Sequence, residues 1–182
     1  MKQKLLLHSC CGPCSSGVLE DLSKDFDVTV FYYNPNIYPK EEYEKRRDTQ
    51  KQLIEELKPN INVGFVELPY DENEYLSVVE GLENEKEGGA RCEKCFLLRM
   101  GKTALYAKEN GYDLFTTTLS VSPHKNAKLL NEIGEVLEEK YAIKYLVADF
   151  KKKNGYLKSI QNSKKYNLYR QNYCGCKFSI WF

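Results

Sequence analysis

Short runs rich in β-branched and aromatic residues alternate with longer stretches of helical spacing along most of the chain. This alternation constrains the fold more than any other feature. Residues 4–7 (KLLL), 26–33 (FDVTVFYY), 63–66 (VGFV), 114–118 (LFTTT) and 144–147 (KYLV) read as strands. Residues 13–24, 38–57, 75–82, 92–110 and 125–140 read as helices, the fourth ended by Gly111. "NPN" at 34–36 stops the second strand, and "NEKEGG" at 84–89 marks a loop. Repeated strand–helix–strand units close only as a mainly parallel sheet with helices on both faces, an α/β three-layer sandwich of Rossmann-like kind. At 182 residues, with no internal repeat, the chain is expected to form a single domain over 1–182.

In such a sheet, ligands bind beyond the carboxyl ends of the strands. "LLLHSCCGPCSSG" at 5–17 puts Cys10, Cys11 and Cys14 just past the first strand, at the start of a helix. An N-terminal helix end stabilises thiolates there. "RCEKC" places Cys92 and Cys95 three apart, on one helical face. Paired with Cys10 and Cys11, they supply four thiolates, the donor set of an iron–sulfur cluster or of tetrahedral zinc. Adjacent cysteines are awkward for a zinc knuckle, and three further cysteines would stay unexplained, so the spacing favours the cluster. A thioredoxin-like dithiol at Cys92 and Cys95 leaves Cys10 and Cys11 without a role.

The chain has seven cysteines. Its start, Met1-Lys2-Gln3-Lys4, lacks the long apolar segment of a secretory signal, and no run is long enough to span a membrane. The expected location is the cytoplasm, where stable structural disulfides are uncommon and clustered cysteines point to metal or redox work. The last two, in "LYRQNYCGCKFS", flank one glycine. Cys174 and Cys176 can meet only in a tight ring, which suits a redox relay. The alternative is a second metal beside the cluster, with Cys14 as a further ligand.

Net charge is +1, but it is unevenly spread. Residues 151–182 carry eight basic side chains and no acidic one, whereas the preceding part has 19 basic and 26 acidic residues. The segment also holds Tyr156, Tyr166, Tyr169, Tyr173, Phe178, Trp181 and Phe182. Cations follow a phosphate backbone and aromatic faces stack on unpaired bases, so this basic aromatic tail is a candidate RNA surface. A solvated face with a few core aromatics is the competing explanation.

Four segments together, "LLLHSCCGPCSS", "RCEKCFLLRM", "TTTLSVSPHKN" and "LYRQNYCGCKFS", resemble the cobalamin-independent epoxyqueuosine reductases, the QueH family. The resemblance runs in order from residue 5 to residue 179. It implies an adenine-nucleotide alpha-hydrolase-like fold and reduction of the epoxide of epoxyqueuosine in tRNA to give queuosine. It also implies a 4Fe–4S cluster on Cys10, Cys11, Cys92 and Cys95, and a redox-active pair at Cys174 and Cys176. A second mononuclear iron beside the cluster would take Cys14. Cobalamin is not expected. Neither is ATP, because "CCGPCSSG" replaces the Ser-Gly-Gly-x-Asp-Ser phosphate loop of the related pyrophosphatases.

Turning an epoxide into an alkene takes two electrons and two protons, so an external electron donor and a proton donor are required. His124, in the polar loop "SVSPHKN", is the preferred acid; His8 and a nearby tyrosine are alternatives. Asn34 or Asn36 either contacts the nucleoside or serves only the turn, Lys125 either contacts phosphate or is solvated, and Arg46 and Arg47 either face RNA or pair with neighbouring glutamates. Arg91 and Arg99 flank the Cys92–Cys95 helix, where they either lower thiolate pKa values or form ordinary ion pairs. Two other classes stay open from the residues: a metal-stapled RNA-binding module without catalysis, and a sulfonucleotide-reductase-like enzyme.

Overall fold

The computed structural model describes residues 1–180; Trp181 and Phe182, counted above among the tail aromatics, lie outside them. Five parallel strands form one sheet: β1 (Gln3–His8), β2 (Phe26–Tyr32), β3 (Gly64–Glu67), β4 (Leu114–Thr117) and β5 (Lys144–Tyr145), in the order β3-β2-β1-β4-β5. β1 is central, pairing Leu5 with Val28 on one side and with Leu114 on the other. The strand order reverses at β1, so a crevice opens beyond its carboxyl end.

Alternation along β1 sorts the core. Leu6 faces one layer, with Phe31 and Phe115, against Phe96, Met100 and Ala104 of α5 (Ala90–Glu109) and Leu130, Ile133 and Leu137 of α6 (Ala127–Tyr141). Leu5 and Leu7 face the other, with Val28, Val30 and Leu114. That layer comprises α1 (Gly12–Ser16), α2 (Leu19–Asp25) and α3 (Lys40–Leu57), closed by Phe150 and Leu168 from the C-terminal segment. A short α4 (Glu72–Val79), capped by the Asp71 carboxylate, packs on α5. Among the described residues, no helix is long and apolar enough to cross a membrane.

Three expectations need correcting. The helix read over 13–24 is broken at Gly17 and Val18 into α1 and α2. A Cβ on Gly17 would stand 2.3 Å from the Gly155 carbonyl oxygen, so the break lies where another segment crosses closely. The strand read over 144–147 pairs only at Lys144 and Tyr145. And the basic tail, to which the sequence reading assigns no element, contains α7 (Gly155–Lys165). Its buried face is Gly155, Ser159 and Ser163, small residues seated against α1, while Leu157 is exposed. Hydrophobic periodicity carries no signal for such a face.

Candidate active site

β1 ends at His8, and the chain then turns through Ser9, Cys10 and Cys11 into α1. A buried polar network holds this turn. Ser9 Oγ and Ser15 Oγ both donate to Gln50 Oε1, at 2.7 and 2.9 Å, and Asn34 Nδ2 donates to the Ser9 carbonyl at 2.9 Å. His8 is fully buried; its ring nitrogens meet Thr117 Oγ1 at 2.9 Å, and the Tyr33 carbonyl and Asn34 Oδ1 at 3.1 Å each. Burial, reinforced by the charge of Arg99, lowers its pKa to about 4, so the imidazole is neutral at physiological pH. That is a core histidine, fixing the strand end and the Asn34 loop.

The fixed turn brings the thiols of Cys10, Cys11 and Cys14 within 4.8 Å of one another, with Cys10 and Cys11 at 3.8 Å. Because α1 is one turn long, the helix-end effect anticipated for these thiols is small. Side chains act instead: Gln171 Nε2 donates to Cys11 Sγ at 3.0 Å, hydrogen bonds from Cys11 and then Cys14 lower the pKa of Cys10, and the same bonding with Cys10 pushes Cys11 and Cys14 up. Cys92 and Cys95 occupy the first turns of α5, and the Gly88 N–H donates to Cys92 Sγ at 3.1 Å.

The third cysteine segment comes from the far end of the chain. Arg46, 1 % exposed, donates from its two terminal nitrogens to the carbonyls of Cys174 and Tyr173, both at 3.0 Å, and from Nε to Glu42 at 2.7 Å. The Tyr38 N–H donates to the Gly175 carbonyl at 2.8 Å, and Ile37 bridges Cys176. Gly175 has φ +112, and a Cβ there would meet Ile37 at 2.9 Å, so the turn between the two thiols requires glycine. Both thiols are free. The Cys176 N–H points at Cys174 Sγ (3.4 Å), Ser179 Oγ lies 2.9 Å from the same sulfur, and the Tyr75 hydroxyl lies 2.8 Å from Cys176 Sγ. Hydrogen bonding from Cys176 holds the Cys174 thiol down to about 5 and, reciprocally, pushes Cys176 up.

These segments meet at two adjoining cavities. The larger, about 310 Å³, is lined by Cys10, Cys14 and Cys174; the smaller, about 80 Å³, by Cys92, Cys95, Cys174 and Cys176. Cys174, Arg99, His124 and Lys125 line both, and Cys11 stands behind Cys10. His124 is exposed at the rim, with Tyr156, Arg170 and Tyr173 lining the larger cavity. Asn36 lines the smaller one with its Oδ1 unpartnered, whereas Asn34 is used in the turn.

Several residues have other duties than those anticipated. Arg46 anchors the Cys174 turn, and Arg47 pairs with Asp48 and Glu67. Arg91 donates to the carbonyls of Leu82, Glu83 and Glu85, holding the loop before α5. Lys151 donates to the carbonyls of Ser120 and Lys125, so it braces the His124 loop from within. Gln50, Gln171 and Tyr75 escaped the sequence reading, since a lone glutamine or tyrosine carries no spacing signal.

A parallel α/β sheet whose switch point gathers cysteines from three separated segments defines a thiol-based metal or redox protein. Comparison with known proteins narrows this. The family model of "Epoxyqueuosine reductase QueH" matches residues 5–181. Proteins so named from Streptococcus pyogenes serotype M1 and Staphylococcus aureus Mu50 are 44% and 43% identical, over 98% of this chain and 71% and 76% of their own lengths. The one from Thermotoga maritima is 37% identical over 97% of this chain and 90% of its own length. The chain belongs to the QueH family of epoxyqueuosine reductases.

Proposed function

We propose that this chain reduces the epoxide of epoxyqueuosine at the wobble position of tRNA to the alkene of queuosine, the final step in making that nucleoside. The balance is two electrons and two protons in and one water out, the electrons coming from an external donor. The observation that carries this reading is the convergence of six cysteines from three segments on two adjoining cavities, with the seventh directly behind.

The donors suit a 4Fe–4S cluster: soft sulfurs, largely buried, with N–H groups of Gly88 and Gln171 already directed at two of them. Cys10, Cys11, Cys92 and Cys95 would hold it, and when bound it supplies electrons one at a time. Cys14, close to Cys10 and Cys11, is the candidate ligand of a second iron. Cys174 and Cys176 act as the redox pair of the site. Their turn is held by Arg46 and Gly175, so the two sulfurs keep one mutual geometry. His124, at the rim of both cavities, delivers a proton to the departing oxygen, and Lys125 beside it faces the same opening. The larger cavity admits an extruded nucleoside, with Tyr156 and Tyr173 offering ring faces at its mouth. Exposed Lys152, Lys153, Lys164 and Lys165 track tRNA phosphates outside it, whereas Lys151 is spent on the His124 loop.

The test is anaerobic incubation of the purified chain with epoxyqueuosine-containing tRNA and a reductant, read by nucleoside mass spectrometry. Conversion to queuosine by a brown, iron-containing protein is expected. A colourless zinc protein that binds tRNA without converting it would replace this reading by that of a metal-stapled RNA-binding module.

A further inference from the structure

The wall shared by the two cavities contains a buried cation with no carboxylate partner among the described residues. Arg99 is 3 % exposed and lies on α5 one turn after Cys95. Its Nη1 donates to Asn34 Oδ1 at 3.4 Å, a long bond to a neutral amide, and its Nε has no hydrogen-bond partner among the described residues. Among the described residues it makes no ion pair; Glu87, which lines both cavities, is an exposed rim residue. An arginine cannot shed its proton. Taking its charge out of water is costly unless a negative group compensates, and buried charges are as a rule paired. The neighbouring groups able to carry negative charge are the thiols of Cys95, Cys10 and Cys174. Lys125 lines the same cavities, but it is half-buried and water screens it.

We infer that Arg99 is the fixed counter-charge of the metal–thiolate group in this site and thereby raises its reduction potential. The inference rests on the iron–sulfur reading above. Each electron added to a thiolate-bound cluster makes it more negative, so an unscreened cation beside it favours the reduced form. The unpartnered Nε–H offers one further bond toward sulfur. Arg99 is a positioning and tuning residue here: it acts on the centre's charge, not on the substrate.

The experiment is a dye-mediated redox titration of the anaerobically isolated holoprotein, followed by electron paramagnetic resonance, with iron determined on the same samples. Arg99→Met is expected to move the midpoint to more negative potential, and Arg99→Lys, which keeps the charge, to stay near the native value. An unchanged midpoint in Arg99→Met at full iron content overturns the inference. If Arg99→Met does not retain iron, Arg99→Lys decides: native iron and midpoint support the counter-charge role, and failure to fold or to hold iron overturns it. A native protein that is colourless and holds zinc would sink the cluster reading itself before any variant is made, so the two failures are distinguishable.

Discussion

The two ends of the chain each bring cysteines to the same opening, yet they are mounted in different ways. Cys10, Cys11 and Cys14 sit on the tip of the central strand, and their turn is tied from beneath by Ser9, Ser15, Gln50 and Asn34. Cys174 and Cys176 belong to no strand or α-helix. They hang from Arg46, from the backbone of residues 37 and 38, and from Tyr75. The first mounting inherits the rigidity of a sheet buried on both faces, which suits an assembly that must not move. The second is an arrangement of side chains around a glycine turn, separable from the first by mutation.

That separability is open to attack in order of expected effect. On the proposed cluster assignment, Cys11→Ala or Cys95→Ala should lose iron and all turnover, because a cluster short of one thiolate dissociates; full iron and native activity in both would remove them from the ligand set. Cys176→Ser should keep the visible spectrum of the iron centre while reduction of the substrate falls to background, and loss of the spectrum would make Cys176 a ligand or a support for one. His124→Gln should lower turnover by about a hundredfold, the low end for a lost general acid, with iron content and tRNA affinity unchanged. Equal turnover in the variant would move the proton donor elsewhere.

Two smaller effects test the mounting of the tail. Arg46→Met leaves Glu42 with only the Tyr169 hydroxyl and strands two carbonyls, and should cost about 3 kcal/mol in urea unfolding. A cost below about 1 kcal/mol, the usual worth of a surface pair, would show that the Cys174 turn does not need this anchor. Changing Lys152, Lys164 and Lys165 together to Ala should leave the melting temperature and iron content alone but flatten the salt dependence of tRNA binding by up to about three phosphate contacts. An unchanged slope would leave the exposed lysines merely solvated and place the RNA surface elsewhere on the domain.

Much of this architecture was legible in advance. The five strands, their parallel pairing and the helices on both faces follow from period and punctuation, because burying a strand on two sides leaves a continuous apolar run that few other folds accommodate. The cysteine segments were legible for a related reason: sulfur is sparse in most chains, so its spacing is informative. The tail was harder to read. Its eight cations looked alike, but in the structure Lys158 pairs with Asp21, Lys177 with Glu72 and Lys151 with backbone carbonyls. Only partners distant in sequence separate an internal cation from one free to meet RNA.

Asn34 and Arg99 mark the same boundary. The asparagine in "NPN" read as turn chemistry and proved also to hold the cysteine turn. The arginine read as either a tuner of the neighbouring thiols or half of an ordinary ion pair, and among the described residues it has no carboxylate partner. By itself the sequence determined the parallel sheet, its helical layers and the kinds of atom available at its open edge, since those depend on periodicity and residue chemistry within short windows. The tertiary structure alone decided how the three cysteine segments adjoin and which cations are buried or free, because these depend on contacts between residues distant in sequence, some more than a hundred positions apart, such as Arg46 with Cys174 and Gln171 with Cys11.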